Sequence, residues 1–135
     1  MVQAMIVFSN HRLGAASELL VSPLVAETML RETAVAASST ANGWWERELV
    51  RWLRDRAGTS ASAEAGWPAD SIDVGEVAWS PENFETQRQF LLAAIHEAAR
   101  TSEHARALGR WAAMIEAHPR DSVQVGRRWI WLATA

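Results

Sequence analysis

Residues 71–100 read "SIDVGEVAWSPENFETQRQFLLAAIHEAAR", and their reading decides the fold. The first nine residues are β-branched and aromatic in character and predict a strand, with Gly75 as a site for a bulge. A helix follows at once. Ser80 is placed to cap it, and Pro81 suits the first helical position, where its missing N–H had no partner to lose. Glu82 and Glu85 match the positive end of the helix dipole. Phe84, Leu91, Ile95 and Ala98 recur with helical spacing, flanked by Phe90 and Ala94, and so mark an inward face.

The same punctuation occurs upstream. "SPLVAETMLRETAVAA" (22–37) opens with Ser22 as cap and Pro23 as first helical residue, and Val25, Thr28, Met29, Val35 and Ala36 give it a partly apolar face. After "SSTANG", Asn42 can cap a second helix, "GWWERELVRWLRDRAG" (43–58), in which Trp45, Leu49, Trp52 and Leu53 form an apolar stripe. Arg47, Arg51, Arg54, Glu46, Glu48 and Asp55 decorate its remaining surface, and Gly58 offers a stop. "AMIVF" (4–8) reads as a short buried strand. "HRLGAASELL" (11–20) reads as loop or helical turn. Downstream, "SEHARALGRWAAMIEAH" (102–118) points Ala105, Leu108, Trp111, Ala112 and Ile115 inward. "PRD" ends that helix, and "SVQVGRRWIWL" (122–132) reads as a last strand.

The resulting order is β-α-α-β-α-α-β, which predicts a single α+β domain over residues 1–135 with about three strands and two helical hairpins packed on the sheet. The interleaved order allows part of the sheet to be parallel. Residues 57–71, small, polar and bearing Gly and Pro, read as a mobile surface loop. A weak internal echo joins 22–79 with 80–131: the pattern S-P-x-x-x-E-T recurs, Gly is twice followed closely by Trp, and V-G twice lies inside an aromatic strand.

Composition narrows the chemistry. The chain has 135 residues, 49% hydrophobic and 21% charged, with a formal net charge of -3 and eight tryptophans. There is no Cys, Tyr or Lys, so all thirteen basic residues are Arg. The missing Cys removes disulfides, thiol nucleophiles and thiolate zinc sites. The missing Lys removes Schiff-base chemistry and the lysine of phosphate loops. All-Arg usage beside abundant Ala points to a GC-rich bacterial coding sequence. Glu18, Pro23 and Glu27 interrupt the longest apolar-leaning stretch, so no transmembrane span or secretory signal is expected, and the cytoplasm is the expected location.

Candidate catalytic residues are few. His96-Glu97 begins an H-E-x-x-H pattern, but position 100 is Arg, so the second imidazole is missing. A metal site would need His104 and a third ligand such as His11 or Glu76. No metal and no cofactor are therefore expected. "HPRDS" brings His118, Asp121 and Ser122 together at a helix end, without the G-x-S-x-G elbow of a hydrolase. The Asp73/Glu76 pair could do acid–base work only if burial separated their pKa values. Glu48 with Arg51 and Glu103 with Arg106 read as solvated ion pairs.

"RWLRDR" (51–56) and "GRRWIW" (126–131) mix Arg with Trp, as single-strand nucleic-acid platforms do. The acidic balance argues against that reading. In the last strand, Arg127 falls in the column of Val125, Trp129 and Trp131. A charge there needs a partner unless Gly126 bulges and resets the register, and Glu76, which also follows a V-G dipeptide, is the expected partner. Arg127 and Arg128 are otherwise exposed at a sheet rim.

Taken together, these features lead to the expectation of a non-enzymatic protein-interaction or regulatory domain. Its partner would be another protein or a second copy of itself, with no membrane involved. Trp44, Trp67, Trp129 and Trp131, with Arg127 and Arg128, are the candidate binding residues. The alternative is a small hydrolase or transferase that uses His96 or His118 with a carboxylate such as Asp121. Nucleic-acid binding through Arg/Trp surfaces ranks below both.

Overall fold

The computed structural model describes residues 6–9, 18–61 and 70–116. They form a small α+β domain of four helices and a three-stranded mixed sheet. Strands β1 (Ile6–Ser9), β2 (Glu18–Val21) and β3 (Asp70–Asp73) lie in the order β2-β1-β3. β1 runs antiparallel to β2 and parallel to β3. The parallel pair is joined through β2 and the helices α1 (Pro23–Ser38) and α2 (Trp44–Ala61). Helices α3 (Phe84–Ala99) and α4 (Ala105–Glu116) follow β3.

Register and alternation together set the buried face of the sheet. Ile6 lies opposite Val21, and Phe8 lies between Leu19 and Ile72. All five side chains are buried. Val7 and Leu20, opposite each other on the other face, are half-buried and exposed. This explains why residues 18–21 form a strand instead of the expected loop or turn: E-L-L-V alternates, and Leu19 and Val21 complete the apolar face that Ile6 and Phe8 begin. Trp111 of α4 meets the Phe8 ring edge-on at 4.9 Å, which closes this face from the helical side.

α1 starts as expected. The Ser22 hydroxyl accepts a hydrogen bond from Val25 N–H at 3.3 Å, and Pro23 occupies the first turn. Its buried stripe is Ala26, Met29, Leu30, Thr33, Ala34 and Ala37, whereas Val35, expected inward, is exposed. Thr33 is tolerated in that stripe because its hydroxyl donates to Met29 O at 2.7 Å. α2 opens on Gly43, whose carbonyl accepts from Arg47 N–H, so Asn42 is not the cap. The Glu46 carboxylate folds back against Gly43, where a Cβ would collide with it. α2 also runs through Gly58 to Ala61. The stripe of Leu49 and Leu53 continues with buried Ala57 and Ser60, so packing beyond Gly58 outweighs the roughly 1 kcal/mol that a helical glycine costs.

Two expected junctions are rebuilt. The strand read over 71–79 ends at Asp73, whose Oδ1 accepts from Gly75 N–H at 2.8 Å. That local bond diverts the backbone from the sheet into a single 3-10 turn, Val74–Glu76, so Gly75 forms no bulge. Helix α3 starts at Phe84, after a turn over 81–83, and not at Pro81. Ser80 still organises this start. Its backbone N–H donates to Gln87 Oε1 at 2.9 Å, and its hydroxyl donates to Glu82 Oε1 at 2.9 Å. The inward face of α3 carries Phe84, Leu91, Ile95 and Ala98 as expected, joined by Leu92 and Ala94. α4 buries Leu108, Trp111, Ala112, Met114 and Ile115, while Ala105, expected inward, is exposed. The strand read over 122–132, residues 62–69 of the loop read over 57–71 and residues 117–131 of the second half of the echo lie outside the described residues.

An aromatic cluster ties α2 to the chain that precedes α3. Trp45 and Trp79 lie 5.2 Å apart, Trp79 and Phe84 5.2 Å, and Trp45 and Phe90 6.3 Å. Trp45 Nε1 donates to Ala78 O at 2.7 Å, and Trp79 Nε1 donates to Val74 O at 2.8 Å. Replacing Trp45 with Phe keeps most of the packing and removes the hydrogen bond to the Ala78 carbonyl. Urea denaturation should show a loss of about 0.5–1.5 kcal/mol. Leu49→Ala, which empties core volume, should cost about 2–5 kcal/mol in the same measurement.

The turn before α3 carries a titration signature. The Glu82 carboxyl sits below its ordinary range, first because its own backbone N–H donates to it and then because the Ser80 hydroxyl does. A depressed carboxylate stabilises the fold above its unfolded pKa and loses that contribution as pH falls through its folded pKa. A Ser80→Ala variant should move the Glu82 midpoint upward toward the ordinary value in an NMR titration of the side-chain carboxyl. An unchanged midpoint would show that the hydroxyl contributes nothing.

Candidate functional site

The exposed side of α2 carries the densest set of binding-type residues among those described. Trp44, Arg47, Arg51 and Arg54 are spaced i, i+3, i+7 and i+10, which at about 100° per residue places them on one side of the helix. The opposite side is held by the buried stripe of Trp45, Leu49 and Leu53. Trp44 is 65% exposed. Its neighbour Trp45, one residue and about 100° away, is buried and hydrogen-bonded.

Beside this stripe lies an open groove of about 420 Å³ between α2 and the end of α1. It is lined by Ser38, Ala41, Arg47, Val50, Arg51, Arg54 and Asp55. Arg47 Nη1 donates to the Asn42 carbonyl at 3.2 Å. Arg51 Nη1 lies 3.3 Å from Glu48 Oε2, the ion pair expected from the spacing, and its side chain is 70% exposed. Arg54 is exposed and forms no ion pair among the described residues. A second groove, about 380 Å³, runs between α1 and α3 past Arg31, Glu32, Val35 and Glu97. Two of its charges are matched locally, Arg31 by Glu27 and Glu97 by Arg100 at 3.1 Å, whereas the buried Glu32 Oε1 has no hydrogen-bond partner among the described residues.

The other candidates fall as follows. His96 lies on the exposed side of α3, outside the linings of both grooves. His104 precedes α4, its backbone N–H donating to Ser102 Oγ at 2.9 Å, with its ring 3.8 Å from Glu103. Among the described residues, no group of three or more His, Asp or Glu is arranged to hold a metal. Glu76 is engaged by α2: Trp52 Nε1 donates to it at 3.0 Å, and Arg56 Nε lies 3.8 Å away. His118, Asp121, Trp67, Arg127, Arg128, Trp129 and Trp131 lie outside the described residues, as does the expected pairing of Arg127 with Glu76. No described helix is long and apolar enough to cross a membrane.

Most of the described tryptophans are committed to the fold. Trp45, Trp52 and Trp79 each donate a hydrogen bond, and Trp111 is wholly buried. Trp44 is the exception. The arginines of α2 were visible in the sequence as decoration; applying the helical period to the polar face groups them with Trp44. No protein-family model, curated protein or solved structure matches this chain.

If this stripe serves binding and not folding, its truncation should leave stability intact. Trp44→Ala and Arg54→Gln should each shift the urea-derived unfolding free energy by no more than about 0.5 kcal/mol, the range of surface changes away from caps and cores. A loss of 2 kcal/mol or more, roughly the scale of a core truncation, would reassign the residue to the fold.

Proposed function

We propose that this chain is a non-enzymatic protein-interaction domain, and that it docks its partner through the exposed side of α2. The observation that carries the reading is the exposure of Trp44, at 65%, beside four tryptophans that pack or hydrogen-bond within the domain. A large indole left in water forgoes roughly 1.5–3 kcal/mol of burial that a partner surface can recover. Trp and Arg are also the side chains most enriched among residues that dominate interface energies. Arg47, Arg51 and Arg54 supply the polar rim that such an anchor needs.

The test compares the full wild-type chain with Trp44→Ala. Quantitative affinity capture identifies retained proteins, and light scattering on a sizing column reports self-association. The reading expects a defined protein, or a second copy of the chain, to be retained by the wild type. The same species should fall about tenfold for Trp44→Ala, the effect of losing about 1.4 kcal/mol, with an unchanged circular dichroism spectrum. Equal retention by both proteins, or a monomer that retains nothing, would sink it.

A further inference from the structure

We infer that the groove lined by Arg47, Arg51 and Arg54 of α2 is a carboxylate site, and that the partner presents an acidic peptide segment to it. This rests on the reading of α2 as the docking side, and it adds the chemistry of what docks. Three guanidinium groups line the groove, from Arg47, Arg51 and Arg54, against the single carboxylate of Asp55. The chain as a whole carries a net charge of -3, so the groove is a local reversal of sign and would steer an acidic segment toward it.

The arginines have an obvious structural task available, and the geometry shows it already filled. The C-terminus of α1 borders the groove, and its carbonyls would attract cations. However, Ser38 Oγ donates to Val35 O and Ser39 Oγ to Ala36 O, each at 2.8 Å. Thr40 N–H donates to Ala37 O at 3.2 Å. The carbonyls of Val35, Ala36 and Ala37 in the last turn are therefore satisfied by the hydroxyl and amide groups of the helix end itself. Arg47 reaches past it to Asn42 O with one nitrogen, and its other nitrogen atoms make no further hydrogen bond among the described residues. The Arg51–Glu48 pair is solvated and worth little, so an incoming carboxylate can displace it.

The negative groups that face the same side favour a peptide carboxylate over a nucleic-acid backbone. Glu48 and Asp55 are interleaved with the three arginines. The phosphates of a nucleic acid are fixed along its backbone and would meet those carboxylates, whereas a glutamate carboxylate on its flexible methylenes can reach between two guanidinium forks while its neighbours turn away. Ala41 and Val50 give the groove an apolar wall against which the methylenes of a glutamate can rest. At about 420 Å³ the groove has room for one or two side chains.

The probe is a dye-labelled hexaglutamate peptide, titrated by fluorescence anisotropy against the full chain at physiological ionic strength. Saturable binding is expected. It should weaken as salt rises, fall about tenfold or more in an Arg51→Gln/Arg54→Gln double variant, and be absent for the hexaglutamine counterpart. Circular dichroism checks that the variant keeps its fold. Absence of binding, or equal binding by the variant, overturns the inference. So does tighter binding of an oligothymidylate of matched charge, which would turn the groove toward nucleic acid. If partner capture depends on Trp44 while the arginine variant leaves it unchanged, the docking side stands and the acidic partner falls. If the peptide binds through the arginines and no partner depends on Trp44, the carboxylate site stands and the docking reading falls.

Discussion

The hydrogen bond from the Trp45 indole to the Ala78 carbonyl holds together two parts of the chain that are far apart in sequence. Residues 74–79 leave the sheet through a tight turn and have no ladder to satisfy their backbone. Trp45 from α2 binds Ala78 O, Trp79 binds Val74 O, and Trp52 from α2 binds the Glu76 side chain. Two of these three donors come from one helix. The connection between sheet and α3 is therefore fixed to α2, and two of the three donor rings, Trp45 and Trp79, also form the apolar cluster around it with Phe84 and Phe90. Each indole combines a large buried area with one directed polar contact, and an irregular segment running beside a core needs both.

That arrangement determines which side of α2 is left over. Trp45, Leu49 and Leu53 face inward, and α1 packs along the helix as its main neighbour. With one side given to the core, Trp44, Arg47, Arg51 and Arg54 can only face outward. The groove forms where α1 stops. Its last turn is closed by serine hydroxyls and the following turn leads to Gly43, and the groove lies between this helix end and the arginines of α2.

The parts of this architecture legible in the sequence were those set by local chemistry with one dominant solution. The Ser22–Pro23 start of α1, the stripe on α2 and the inward face of α3 were readable because capping and helical period act within a few residues. β2 was not readable, since four residues carry too short an alternation and only its pairing with β1 gives it meaning. The end of β3 was hidden for a related reason. "IDVGEVAW" has strand composition throughout, and a single Asp73 side-chain bond to Gly75 redirects it. Likewise Ser80-Pro81 signalled a helix start, but the Pro opened a preceding turn, because the side chains of Gln87 and Glu82 reach back to Ser80. Of the candidate site, Trp44 was legible as a candidate, and the structure shows its side chain exposed. Its grouping with Arg47, Arg51 and Arg54 required the polar face of α2 to be read with the same period as the apolar one.

Trp44 and Trp45 condense the problem of reading function from composition. A surplus of tryptophan is compatible with an aromatic core and with a binding surface, and the two residues are chemically identical and adjacent. A rotation of about 100° along the helix separates them. It carries one indole into a cluster with Trp79 and Phe90 and leaves the other in solvent on the side of α2 that also bears Arg47, Arg51 and Arg54. The fold makes use of Trp45 and assigns nothing to Trp44, although its exposed apolar area is a standing cost. A side chain whose exposure the fold does not require, next to guanidinium groups the neighbouring helix end does not need, is the combination that an interface would explain. Either feature alone would have an ordinary structural account; their coincidence on one side of α2 makes that side the place to look for a partner.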